Sequence, residues 1–113
     1  MTQGLADLKL ELRGMAKKSI TKYVTLLGKR YAFKRVPYLG DAYGTCDPTD
    51  KKNKTIRVLS NLRGEKELSI IIHEALHALD WSKDEEWIVA AANDLAKMLY
   101  KLEYRKQEKA KKK

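Results

Sequence analysis

The thirteen residues from Ser69 to Trp81, S-I-I-I-H-E-A-L-H-A-L-D-W, constrain this chain more than any other stretch. Wound as a helix, Ile70, Ile71, Ala75, Leu76, Ala78 and Leu79 put apolar surface on several sides, so most of the circumference must be covered. Such a helix leaves polar side chains few places to go except an internal site, and it carries His73, Glu74 and His77. Residues four apart share a helix face, so both imidazoles can offer a ring nitrogen to one metal ion. Glu74, about 100° round from His73, can reach a water on that ion without ligating it. H-E-x-x-H is the pattern of a zinc site with two imidazoles, a carboxylate base and a third ligand from elsewhere. The competing reading is a pair of satisfied histidines in a packed helix. These are the only two histidines of the chain and both fall in the motif, which favours the metal.

A chain of 113 residues has room for one domain with a modest core. Its formal net charge of +9 is unevenly spread. Residues 1–30 hold seven basic and two acidic side chains, as do residues 101–113, while residues 31–100 hold ten basic and eleven acidic. Each end is thus cationic and the body near neutral. The single cysteine, Cys46, excludes an intrachain disulfide and fits a reducing compartment. No run approaches 18 apolar residues and no signal-peptide pattern opens the chain, so no membrane partner is expected. The expected location is the cytoplasm, of a bacterial cell or of a phage-infected host.

Leu5, Leu8, Leu12, Met15, Ser19, Tyr23 and Leu26 recur mostly three or four apart and predict an amphipathic N-terminal helix. Its clearest part is 15–27, closed by Gly28, whereas residues 6–13 also fit a strand, since Leu8, Leu10 and Leu12 alternate with charges. Tyr31–Val36 reads as a strand ended by Pro37. An irregular segment over 38–53 follows, with room for one short strand near 42–45. Lys54–Leu59 reads as a second long strand, antiparallel to the first or separated from it by the short one. After a turn at 61–64, Glu65 and Glu67 open the motif helix near its dipole-positive end. Ser82 and Glu85 have capping-box spacing. A last helix, 84 to about 105, carries Ile88, Ala92, Leu95, Leu99 and Leu102 on one stripe, with Ala91 and Met98 beside it. The expected fold class is α+β: an N-terminal helix, a small antiparallel or mixed sheet, and the motif helix packed on a C-terminal helix. The domain spans 1–105, and 106–113 form a basic, disordered tail.

Two histidines leave a zinc site one protein ligand short. The last helix opens with Asp84, Glu85 and Glu86. Relative to Ile88, Glu85 lies roughly 60° off on the buried side and Glu86 roughly 160° off, toward solvent. Asp84 is on the inner side too, but shorter and in the cap. Glu85 is therefore the expected third ligand. The plainer explanation, first-turn acids complementing the helix dipole, accounts for acids here but not for one on the apolar stripe. Asp80 is expected as a partner to a ligating imidazole.

The stretch from about 54 to 104 resembles the small zincin metallopeptidases of phages and bacteria. The resemblance rests on Ile72-His73-Glu74-Ala75-Leu76-His77-Ala78, the pair Glu85-Glu86, the Asp94-Leu95-Ala96 and Leu99 pattern, and the Gly44-Thr45-Cys46-Asp47-Pro48 turn. It implies a minimal zincin-like, gluzincin-like domain with His73, His77 and Glu85 on Zn2+ and a catalytic Glu74. The metzincin glycine and third histidine are absent, as is the N-E-x-x-S-D stretch of thermolysin-like enzymes.

The expected activity is that of a zinc metallopeptidase, a hydrolase in which Glu74 is general base for a metal-activated water. An oxyanion donor is needed, and Tyr38, Tyr43, Tyr100 and Tyr104 are open alternatives. In zincin-like folds the strand before the motif helix, here Thr55–Leu59, pairs with an extended or unfolded polypeptide substrate. Arg57 on it either meets an acidic substrate group or keeps an edge soluble, the latter being favoured. The alternative is a nucleic-acid-associated or adaptor protein with a structural metal, its basic termini making weak, non-specific nucleic-acid contact. Glu74 argues against it, since a structural site has no use for that carboxylate.

Overall fold

The computed structural model describes residues 21–104. The expected helix before residue 21 and the tail at 106–113 lie outside that range. Within it the chain is α+β, a four-stranded mixed sheet followed by two helices. The strands are β1 (Lys22–Leu26), β2 (Lys29–Val36), β3 (Gly44–Cys46) and β4 (Thr55–Leu59). The helices are α1 (Gly64–Leu79) and α2 (Glu85–Lys101).

β1 corrects the 22–26 part of the helix expected over 15–27, because Lys22–Leu26 pairs antiparallel with β2; residues 15–20 lie outside the described range. Tyr23, Val24 and Thr25 are aromatic or β-branched and suit a pleated surface. The deciding feature is the connection. Leu27 and Gly28 have φ of 49° and 77°, the two positive values a type I′ hairpin turn requires. Gly28 therefore closes a hairpin instead of capping a helix.

The sheet order is β1-β2-β4-β3. β2 and β4 are direct neighbours and parallel, in register Phe33 with Ile56 and Arg35 with Val58. The antiparallel alternative is thus corrected, and the short strand lies outside the long pair, antiparallel to β4. Alternation sends Tyr31, Phe33, Ile56, Val58, Gly44 and Cys46 to one face, where α1 lies. Tyr31, Ile56 and Val58 are buried there with Leu62 and Ala78, and Ile70 and Ile71 of α1 close over them. Arg35 on the same face reaches a buried Glu67 of α1 at 3.1 Å, tying strand to helix.

α2 packs on α1 instead of on the sheet. Its buried stripe is Ile88, Ala92 and Ala96, four residues apart. Ile88 and Ala92 are buried as expected, but the stripe then turns to Ala96, since Leu95, Met98 and Leu102 are exposed and Ala91 and Leu99 are half-buried. Two alanines let the helices approach closely, and Ser69 Oγ donates to Asn93 Oδ1 at 2.7 Å across the seam. The N-cap of α2 is Asp84, whose carboxylate accepts from Trp87 N–H at 2.9 Å. The expected Ser82 cap is not formed. Ser82 instead donates its hydroxyl and its N–H to Asp80 Oδ1. Neither helix is long and apolar enough to cross a membrane.

Candidate metal centre

His73 and His77 occupy successive turns of α1 and face the first turn of α2. Both are half-buried, with ring centroids 4.9 Å apart. Glu85 meets both rings. Its Oε2 lies 3.1 Å from His73 Nε2 and its Oε1 3.0 Å from His77 Nε2. All three ligand atoms lie within 4.8 Å of one another. Around tetrahedral zinc with bonds of 2.0–2.1 Å, neighbouring donors stand about 3.3 Å apart. Each imidazole has its own Glu85 oxygen near that spacing, while the set of one donor per residue spreads up to 4.8 Å and would have to close around an ion; two nitrogens and one oxygen suit zinc. The helical phase of Glu85 brings its carboxylate to the imidazoles, yet the side chain is 62 % exposed and not on a buried face as expected; Glu86 is exposed as well and is not part of the cluster.

Burial lowers the His73 pKa, Glu85 pulls it back up and His77 adds to the lowering, so the net displacement is downward. A neutral imidazole is the form that ligates a metal. Asp80, expected beside an imidazole, is engaged by Ser82. That expectation is corrected because the chain turns at 80–83 and the side chain closes the turn, with Lys83 N–H donating to Asp80 O.

Glu74 packs against the sheet beside Gly44, near enough to the cluster to feel the charge of Glu85. It is only 6 % exposed, and burial followed by the charge of Glu85 raises its pKa to about 7. Its neighbour is β3. A Cβ placed on Gly44 would lie 2.8 Å from Ile70 Cγ2 and 3.1 Å from both Cγ and Oε2 of Glu74. The edge strand therefore passes against the carboxylate only because residue 44 has no side chain. Cys46, on the same strand face, feels burial first and then Glu74 and Asp47, which together push its thiol up to about 12.

The expected site edge, Thr55–Leu59, is corrected by the sheet order, since β4 is flanked on both sides. Among the described residues the edge beside Glu74 is β3. Leu59 N–H donates to Tyr43 O and Asp47 N–H to Thr55 O, so Tyr43, Thr45 and Asp47 face β4. By alternation Gly44 and Cys46 turn their N–H and C=O outward. Arg57 is on the central strand and pairs with Asp47 at 3.8 Å, so neither proposed edge role applies. Asp47 also accepts from Thr55 N–H at 2.9 Å, fixing the loop before β4.

Among the tyrosines, Tyr43 lies under Lys66 at 4.1 Å, and the Tyr100 hydroxyl abuts Gly64. Both contacts are at the N-terminal end of α1, for Gly64 about 13 Å along the axis from His73. Tyr38 and Tyr104 are exposed. Two neighbours of the site are not evident from the sequence as such. Gly44 is readable there only as a strand glycine, a mark of close backbone approach. Trp81, four residues after His77, sets its ring 6.0 Å from that imidazole, a pairing its helical spacing could have flagged.

Comparison with known proteins returns no match: no family, no curated protein and no solved structure is similar to this chain.

Proposed function

We propose that the protein is a zinc-dependent metallopeptidase of the zincin type. The observation that carries this reading is the convergence of His73 Nε2, His77 Nε2 and both Glu85 oxygens, with a buried carboxylate, Glu74, one residue from a ligand. His73, His77 and Glu85 would hold the ion. When bound, zinc supplies an acidified water and polarises a carbonyl.

Glu74 takes a proton on its carboxylate and returns it to the leaving amine. A general base works best with a pKa near the working pH, and burial raises Glu74 to about 7. The outward N–H and C=O groups of Gly44 and Cys46 offer an extended polypeptide a strand partner beside Glu74. Folded proteins have few free backbone groups, so the substrate is an unfolded or locally extended chain. Trp81 beside His77 offers an apolar wall at the same rim.

The deciding experiment is Glu74→Gln, assayed on a fluorescently labelled, chemically denatured protein with zinc content measured in parallel. The variant should keep wild-type zinc stoichiometry and lose hydrolysis by a factor of roughly 10² or more, the scale for a positioned base. Equal activity in E74Q would overturn the mechanism. Absent activity in the wild type, with global unfolding on chelation, would instead mark a structural metal.

A further inference from the structure

We propose that the sheet face opposite α1 is a binding site for single-stranded nucleic acid, an inference independent of the metal-centre reading. Alternation along the strands sends Tyr23, Arg30, Ala32, Lys34 and Thr55 to this face, and neither described helix packs on it. Together with the loop at 50–54 they border a cleft of about 670 Å³. The cleft is lined by Arg30, Lys34, Lys51, Lys52 and Lys54 against one acid, Asp50. Lys51 pairs with Asp47 at 3.6 Å, and the Lys54 ammonium donates to Lys51 O at 3.1 Å. Arg30, Lys34 and Lys52 pair with no carboxylate among the described residues. Three cations held together without a carboxylate partner among the described residues make the cleft attractive to anions.

The aromatic component selects the kind of anion. Arg30 stacks on one face of the Tyr23 ring at 4.1 Å, and Tyr23 is 59 % exposed. A fixed, exposed ring beside a cationic groove is the arrangement that binds single strands, phosphates tracking the cations and a base lying on the ring. The site is concave, and neither described helix projects from it to enter a duplex groove, which favours a single strand over a duplex. A chain of carboxylates would satisfy the cations but would leave the tyrosine idle.

The test is fluorescence anisotropy of the full chain with a labelled 15-nucleotide oligo(dT), titrated over a range of salt. R30E/K52E changes two exposed positions and should weaken binding at least tenfold. It should also flatten the plot of log affinity against log salt, by about 0.7 for each phosphate that is no longer neutralised. Y23A should weaken binding with the salt slope unchanged, because stacking on tyrosine carries no charge. K34Q, retaining the other cations, should give an intermediate loss and serves should the double variant misfold by circular dichroism. Three results would overturn the proposal. One is wild-type affinity in R30E/K52E together with loss on deleting 106–113, which would place binding in the tail. Another is tighter binding of a 15-base-pair duplex than of oligo(dT). The third is displacement by poly-glutamate as effective as by unlabelled oligo(dT), which would identify an acidic protein partner.

Discussion

Gly44→Ala tests whether the edge strand really rests on Glu74. The added methyl would stand 2.8 Å from Ile70 Cγ2 and 3.1 Å from Glu74 Cγ and Oε2. Ile70 is β-branched on a helix, with essentially one χ1 rotamer, so its Cγ2 cannot swing aside. Either β3 lifts or the Glu74 carboxylate moves. Overpacking of this kind costs about 1–3 kcal/mol. Replacing glycine also narrows the unfolded ensemble, which returns about 0.4–1 kcal/mol, since φ at Gly44 is not in the positive region. The net expectation is a loss of up to about 2.6 kcal/mol, read as a lower urea midpoint with an unchanged m-value. The control is Ile70→Ala, which removes the obstructing methyl. In that background G44A should cost at least about 1 kcal/mol less, and the shortfall is the coupling between the two sites. Hydrolysis should fall in G44A, because the carboxylate is displaced, and recover in part in G44A/I70A. An identical cost in both backgrounds would show that Ile70 is not the obstruction, and unchanged hydrolysis in G44A as well would remove Gly44 from the site.

In calorimetric zinc titration, H73A and H77A should each abolish stoichiometric binding and E85A should weaken it strongly, while E86A stays near wild type. Equal losses in E85A and E86A would refute the assignment of the third ligand. D84A should lower stability by about 1 kcal/mol through loss of the Trp87 N–H bond, and S82A by less than about 0.5 kcal/mol, both by thermal melting. The reverse order would restore Ser82 as the cap. Cys46 should resist alkylation at pH 8. Raising its pKa from 9 to about 12 leaves about a thousandfold less thiolate, so iodoacetamide should label it readily only after denaturation.

What can be read from the sequence is what depends on neighbours along the chain. The donors His73, His77 and Glu85 meet because two helical phases place them, and helical phase is visible as spacing. The parts that cannot be read depend on residues far apart. Tyr23 and Leu26 fit a helical spacing as well as a strand, and only pairing with β2 selects the strand. Which of Ser82 and Asp84 caps α2 is a matter of two residues of register, which spacing cannot resolve. The parallel union of β2 and β4 is formed across an eighteen-residue connection, from Val36 to Thr55. No local pattern separates it from an antiparallel pair. Gly44 against Glu74 is illegible for the same reason. The shift of the α2 stripe from Leu95 to Ala96 follows from how closely α2 packs on α1: the close seam takes the small side chain and leaves the large one outside.

The donor atoms lie within a thirteen-residue window, His73 to Glu85, on two helices joined by the short link at 80–84. The parallel pairing of β2 with β4 at the centre of the sheet, by contrast, joins residues more than twenty positions apart, as in Ala32 with Thr55. Loop closure delays such pairings, so helical hairpins form well before long-range strands during folding. The imidazoles and the carboxylate can therefore meet while the strands are still searching for their partners. An ion captured at that stage would act as a fastener for the hairpin during synthesis and collapse, before Gly44 arrives to complete the surroundings of Glu74. In refolding experiments zinc should then accelerate the helical phase and leave the slower, sheet-forming phase unchanged.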